Sequence, residues 1–220
     1  MSDPVLSATR QALHAVAELL LAGPQFRRSG TIRLRPAPGG FGTVAAPDLA
    51  VDGSHLVAGT GRFVLSGSTL DELARQAGVD AGAPGIYHDG SGAAPGDHVS
   101  VDERAAAHLA TCYAAGEAAL RRLAPGETPV LWPEHFDLGI TLDEVNYGVS
   151  PGDGWLDEPY AYVGPWQRRT GTFWTAPFGA ARPLRELADA AVLADFFAEG
   201  RARAGTDPVA PAGEETASGG

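Results

Sequence analysis

The C-terminal half of this 220-residue chain is a succession of short strand-like runs joined by Gly/Pro turns, and that succession limits the fold more than any other feature. Residues 130–132, 136–142, 145–149, 160–163 and 172–175 are apolar or alternate in polarity, and a turn signal follows each within a few residues. Connections this short join antiparallel neighbours, because a parallel pair needs a crossover of about a dozen residues or more. All four tryptophans, three of the five tyrosines and the sole asparagine, Asn146, fall between Trp132 and Trp174, so the specialised surface belongs to this half.

The first half starts with helix period. Asp3 is placed to cap a helix over residues 4–22, Pro4 suits its first turn, and Leu13, Val16, Ala17 and Leu20 share a face before Gly23-Pro24 stops it. From Thr31 the period is two, with Ile32 and Leu34 alternating with Arg33 and Arg35. Asp52-Gly53 between two apolar triplets signals a hairpin, and residues 63–65 add another strand, giving a small antiparallel sheet. Pro38-Gly-Gly-Phe41-Gly-Thr43 reads as a glycine-rich loop, but no lysine and no helix follow it to hold a phosphate. Thr69-Leu-Asp-Glu72 has capping-box spacing before a short helix ending near Gly78, and residues 79–97 form an irregular loop. Ser100-Val-Asp-Glu103 repeats that spacing and opens a long helix to about residue 123.

A final helix is expected over residues 183–201. The expected class is α+β, with antiparallel strands in both halves packed against about three principal helices. Residues 1–203 make one compact unit, with an N-terminal half 1–124 and an aromatic-rich half 127–203. Residues 204–220, rich in small and polar types, are expected to be a disordered tail.

Composition excludes several functions. All sixteen cations are arginine, so Schiff-base chemistry, a Ser-Lys dyad and a Walker A loop are ruled out for want of a lysine. A formal charge of −11 opposes binding to nucleic acid or to anionic membrane surfaces. A single cysteine, Cys112, forms no internal disulfide and sits on a helical face as a small buried hydrophobe. Residues 13–23 are apolar but contain Glu18 and are far shorter than the ~20 residues that span a bilayer. No signal-peptide pattern opens the chain, so a cytoplasmic protein is expected.

The densest chemistry lies in Trp132-Pro-Glu134-His135-Phe136-Asp137. With residues 136–142 as a strand, Phe136, Leu138, Ile140 and Leu142 share one face, and His135, Asp137, Gly139 and Thr141 share the other. The next strand divides the same way, with Val145, Tyr147 and Val149 against Asn146, Gly148 and Ser150. If Asp143-Glu144 is the turn, Thr141 opposes Asn146 and Gly139 opposes Gly148, and a polar face surrounds a bare glycine floor. Thr141-Leu-Asp-Glu144 also has capping-box spacing, and a helical turn there would cancel that register. Two facing glycines admit either a ligand or an aromatic ring from the same chain.

His135 and Asp137 are the candidate catalytic pair, as a general acid and base or as an orienting hydrogen bond. Glu134, Asn146, Ser150, Asp153, Glu158, Tyr160 and Trp166 are the candidate ligand-binding residues. With Tyr162 and Arg168, several of them form an aromatic and carboxylate rim of the kind that stacks on sugars or small aromatic molecules. The same residue types also seal subunit interfaces. Gly148-Val-Ser150-Pro-Gly152 matches the pattern of a nucleophile elbow but lacks its following helix and any histidine downstream. No metal site is expected, because His135 and Asp137 supply too few ligands. No cofactor is indicated, and no motif reaches a reaction class.

Four of these stretches, Leu131-Trp-Pro-Glu-His-Phe-Asp-Leu138, Asn146-Tyr-Gly-Val-Ser-Pro-Gly-Asp153, Glu158-Pro-Tyr-Ala-Tyr-Val-Gly-Pro-Trp166 and Phe173-Trp-Thr-Ala-Pro-Phe-Gly179, resemble the signature runs of uncharacterised actinobacterial proteins. The resemblance extends over most of the chain to about Arg203. The W-P-x-H-F-D portion is also similar to a broader bacterial domain of unknown function. What this implies is a bacterial cytoplasmic setting, with no activity attached. The expected function is a small-molecule binding or enzymatic site on the polar face of the C-terminal sheet. The competing expectation is a non-catalytic protein whose aromatic surface is a homo-oligomer or partner interface.

Overall fold

The computed structural model describes residues 3–187 and 189–211. Helix α1 (Pro4–Val16) begins as its sequence requires, with the Asp3 carboxylate accepting from the amides of Val5 at 2.9 Å and Leu6 at 3.3 Å. The expected stop at Gly23-Pro24 does not occur. The chain passes through a π-helical segment (Ala17–Ala22) into α2 (Gly23–Ser29), which ends at Gly30 with φ 74. In a regular α-helix a proline ring collides with the carbonyl four residues earlier and leaves it without a donor. Here the Gly23 amide bonds the Glu18 carbonyl, five residues back, and that widened turn accommodates Pro24.

An antiparallel meander follows, formed by β1 (Leu34–Ala37), β2 (Gly40–Thr43), β3 (Leu49–Asp52), β4 (His55–Ala58) and β5 (Gly61–Val64). The glycine-rich loop expected at residues 38–43 is therefore a turn and a strand. Its glycines are what allow the pairing, since a Cβ on Gly40 would lie 2.4 Å from the Val51 carbonyl oxygen. Helix α3 (Leu70–Ala77) carries the expected Thr69–Glu72 capping box and ends at Gly78. Helix α4 (Glu103–Leu123) is capped by Asp102 rather than Ser100, because the Asp102 carboxylate reaches the amides of Arg104 and Ala105. Cys112 is buried within α4, and burial pushes its thiol up to about 11.

The C-terminal half supplies β6 (Val130–Trp132), β7 (Asp137–Leu142), β8 (Val145–Ser150), β9 (Tyr160–Pro165) and β10 (Ala180–Pro183), then α5 (Ala190–Thr206). Residues 172–175 are not a strand. Phe173 turns inward against Phe196 of α5, and the Trp174 indole donates to Asp207 at 3.0 Å. The outer partner of β9 is β10, of which only Pro183 falls in the span expected for the last helix, and α5 starts only at Ala190, where Asp189 caps it. The Arg182 side chain of β10 stays exposed, with its guanidinium 5.2 Å from the Phe196 ring centre.

The disordered tail expected from residue 204 is also corrected as far as residue 211. Helix α5 runs to Thr206, and beyond it Thr170 and Ala210 exchange backbone hydrogen bonds with Pro208 and Arg168. Residues 212–220 of that expectation lie outside the described residues.

All ten strands form one antiparallel sheet in the order β10-β9-β8-β7-β6-β1-β2-β3-β4-β5, so the two small sheets anticipated from the sequence are a single one. The join is the pairing of Leu34 with Leu131. The α+β class stands, with helices stacked on one face of the sheet. A Cβ on Gly116 of α4 would meet Val149 at 2.8 Å, and one on Gly200 of α5 would meet Val163 at 2.7 Å. These glycines let both helices approach the apolar rows of β7, β8 and β9 and leave the other face of those strands to the site.

Candidate functional site

Strands β7 and β8 meet in the register that makes a polar face, with Thr141 opposite Asn146 and Gly139 opposite Gly148. The turn between them is Asp143-Glu144, both at positive φ (53 and 59), which is the twist a two-residue hairpin needs. That outcome removes the helical-turn alternative. Strand β9 extends the polar rows, pairing Tyr162 with Gly148, Gly164 with Asn146 and Tyr160 with Ser150.

The glycine floor is filled from within the chain. Tyr162 lies over it so closely that a Cβ on Gly148 would stand 2.4 Å from its hydroxyl oxygen, and one on Gly139 2.9 Å from it. The Tyr162 hydroxyl donates a short hydrogen bond to the Asp137 carboxylate. Burial pushes the Asp137 carboxyl above its ordinary range, opposed by the Tyr162 hydrogen bond and by the nearby His135. Burial likewise raises the Tyr162 phenol well above its ordinary value, with the neighbouring Asp137 charge adding to the rise. The two groups thus share one hydrogen bond at the base of the polar face.

Above them opens a cavity of about 610 Å³. Its polar lining is His135, Asp137, Asn146, Ser150, Asp153 and Arg168, and its apolar lining is Tyr160, Tyr162, Pro165, Pro177 and Phe178 beside Gly164. His135 is exposed in the turn between β6 and β7, where Phe136 takes φ 55 to send its ring into the core. There Phe136 stacks on His14 with centroids 5.4 Å apart and accepts a 2.6 Å bond from Tyr113 on its carbonyl. Strand β7 therefore begins at Asp137 rather than Phe136, and His135 and Asp137 both face the cavity without a hydrogen bond between them.

Two of the polar groups are committed to the fold. The Asp153 carboxylate accepts from the amides of Trp155 at 2.8 Å and Leu156 at 3.1 Å and from the Tyr160 hydroxyl at 2.5 Å. Buried Ser150 accepts from the Gly152 amide at 3.1 Å, and no helix follows it, so the nucleophile-elbow pattern lacks its geometry. Others are open. Asn146 accepts from Thr141 at 2.8 Å through its carbonyl oxygen, which leaves its NH2. Among the described residues, the His135 ring and the Arg168 guanidinium have no hydrogen-bond or ion-pair partner. Arg168 is brought to the cavity by its own carbonyl, which the Ala210 amide ties to the segment after α5 at 2.7 Å.

Aromatic rings continue from the cavity to its rim. Tyr160 stacks near Phe178 at 6.3 Å, and Trp155, 45% exposed, packs edge-on against both. Trp166 is 63% exposed and its indole nitrogen lies 3.4 Å from the Asn146 carbonyl oxygen.

Of the sequence-derived candidates, His135, Asp137, Asn146, Ser150, Asp153 and Tyr160 line this one cavity, and Trp166 stands beside it. Glu134 does not line it. It faces a neighbouring cleft of about 260 Å³ together with Arg10 and His14, and His135 and Asp153 border both spaces. Glu158 points elsewhere, paired with Arg185. Sequence reasoning missed Phe178, Pro177 and Gly164, and it gave Arg168 and Tyr162 only rim positions. The loop that carries Pro177 and Phe178 has no periodicity to betray its direction.

No group of three or more His, Cys, Asp or Glu side chains is arranged to hold a metal among the described residues. No described helix is long and apolar enough to cross a membrane. Comparison with protein-family models, with curated proteins and with solved structures finds no match in any of the three.

Proposed function

We propose that the cavity on the open face of β7, β8 and β9 is a small-molecule binding site. The observation that carries this reading is the coexistence, in one concave space of about 610 Å³, of open polar groups (the His135 ring, the Arg168 guanidinium and the Asn146 NH2) with the rings of Tyr160, Tyr162 and Phe178. Ligand sites of small molecules occupy about 300 to 1,000 Å³ and combine apolar walls with a few convergent polar groups. Should the bound molecule be transformed, His135 and Asp137 are the groups proposed to move protons. His135 is free at the mouth, and burial raises the Asp137 carboxyl above its ordinary range. A cytoplasmic, bacterial setting belongs to the same reading and rests on the resemblance and on the single cysteine.

A second reading follows from the exposed rings. Trp155, Trp166 and Phe178 are 45%, 63% and 37% exposed around one opening, as at a homo-oligomer or partner interface. A metabolite screen read by tryptophan fluorescence, with native mass spectrometry alongside, separates the two. Saturable quenching by a metabolite supports the binding site. A concentration-dependent dimer that responds to no metabolite supports the interface.

A further inference from the structure

The hydrogen-bonding state of each group in this cavity points to the class of its ligand, on the reading that the cavity is a ligand site. Both donors and acceptors are left open there. The Asn146 NH2 donates, and the Asp137 carboxylate engages Tyr162 through one oxygen and leaves the other as an acceptor. His135 and Arg168 add further open positions. A hydroxyl donates one hydrogen bond and accepts others, so an array of mixed polarity suits a molecule with several hydroxyls.

The alternatives fit less well. A flat aromatic ligand would cover these groups and leave them unpaired, and a site built to bond hydroxyls discriminates strongly against analogues that lack them. A small anion would satisfy Arg168 and His135 but would confront the Asp153 carboxylate in the same space. A pyranose ring presents an apolar C–H face and a rim of hydroxyls, and this cavity offers aromatic rings and mixed polar groups side by side.

We propose that the ligand is a carbohydrate, with the face of one sugar ring against Phe178, which is 37% exposed, and its hydroxyls on Asn146, His135, Arg168 and Asp137. Glycoside cleavage in most enzymes uses two carboxyl groups free to act on the bond. Asp153 already accepts three hydrogen bonds from its own loop, so the activity proposed is binding without hydrolysis.

The test uses the full chain in two arms. An array of immobilised glycans reports sugars within larger structures. Titration of tryptophan fluorescence with glucose, galactose, mannose, N-acetylglucosamine and glucuronate reports free sugars, with indole and benzoate as flat controls. The expected result is saturable binding in at least one arm and none by the controls. Phe178→Ala and Asn146→Ala, each checked for an unchanged melting curve, should weaken that binding about tenfold, the equivalent of about 1.4 kcal/mol. Saturation by indole or benzoate with no sugar bound in either arm overturns the carbohydrate assignment and leaves the ligand site standing. Silence from the sugars, the controls and a general metabolite library overturns both.

Discussion

The Tyr162 hydroxyl donates to the Asp137 carboxylate across the paired glycines Gly139 and Gly148, so one hydrogen bond links the first residue of β7 to the middle of β9. Burial raises the Asp137 carboxyl in the folded protein, which means that the fold retains this proton at a pH where the unfolded chain has lost it. Stability from this group is therefore fully present below the unfolded carboxyl value of about 3.9 and is lost as pH rises through the folded value. Asp137→Asn keeps an acceptor for Tyr162 and cannot ionise, so its unfolding free energy should change less than the native protein's as pH rises from about 4. Asp137→Ala strands the tyrosine hydroxyl and should cost about 1 to 3 kcal/mol. Urea unfolding across pH checks both, and His135→Ala, which removes no hydrogen bond, should leave the midpoint nearly unchanged.

The glycine floor makes a second prediction. A methyl group on Gly148 would stand 2.4 Å from the Tyr162 hydroxyl oxygen and 2.5 Å from the Leu138 carbonyl oxygen, and the second neighbour is backbone. Gly148→Ala should destabilise the protein by about 1 to 3 kcal/mol through overpacking. Gly139→Ala, with contacts of 2.9 and 3.0 Å, should cost less. Thermal unfolding of the two variants gives the order, and equal or inverted effects would show that Tyr162 is not confined by the floor.

The β7–β8 turn carries removable strain. Glu144 sits at φ 59, where an L residue with a Cβ is disfavoured by roughly 1 to 2 kcal/mol. Its backbone carbonyl accepts from the Trp166 amide at 2.9 Å, a bond that glycine retains. Glu144→Gly should raise the melting temperature, offset in part by the greater freedom of glycine in the unfolded chain. A lowered melting temperature would mean that the Glu144 side chain contributes more than the strain removes.

The polar face was legible because period two in β7 and β8 assigns Asp137, Gly139, Asn146, Gly148 and Ser150 to one side once the turn is placed at Asp143-Glu144. Local chemistry also located the Asp3 cap and the Thr69–Glu72 box. What failed depended on distant partners. Pro24 signals an end, yet tertiary packing holds the helix through it by means of a π turn. Residues 172–175 are strand-like in their aromatic and β-branched types, but Phe173 and Trp174 answer to α5 and Asp207. Strand β10 was hidden because it is only four residues long and its exposed Arg182 rests over Phe173 and Phe196, contacts that no local pattern shows. The tyrosine over the glycine floor was one of two open alternatives, and only the pairing of β9 with β8 identifies it as Tyr162.

The central claim, that the cavity over β7, β8 and β9 is a ligand site, is tested most directly by filling it. Gly164 lines the cavity, and a Cβ there would make only ordinary contacts, 3.5 Å to the Phe178 carbonyl oxygen and 3.9 Å to Asn146. Gly164→Leu should therefore fold with a melting temperature near that of the native protein while occupying the space a ligand needs. Isothermal titration of both proteins with the best compound from a metabolite screen is the measurement. Binding to the native protein that disappears in Gly164→Leu is the result predicted; equal binding to both proteins would place the site elsewhere and contradict the claim.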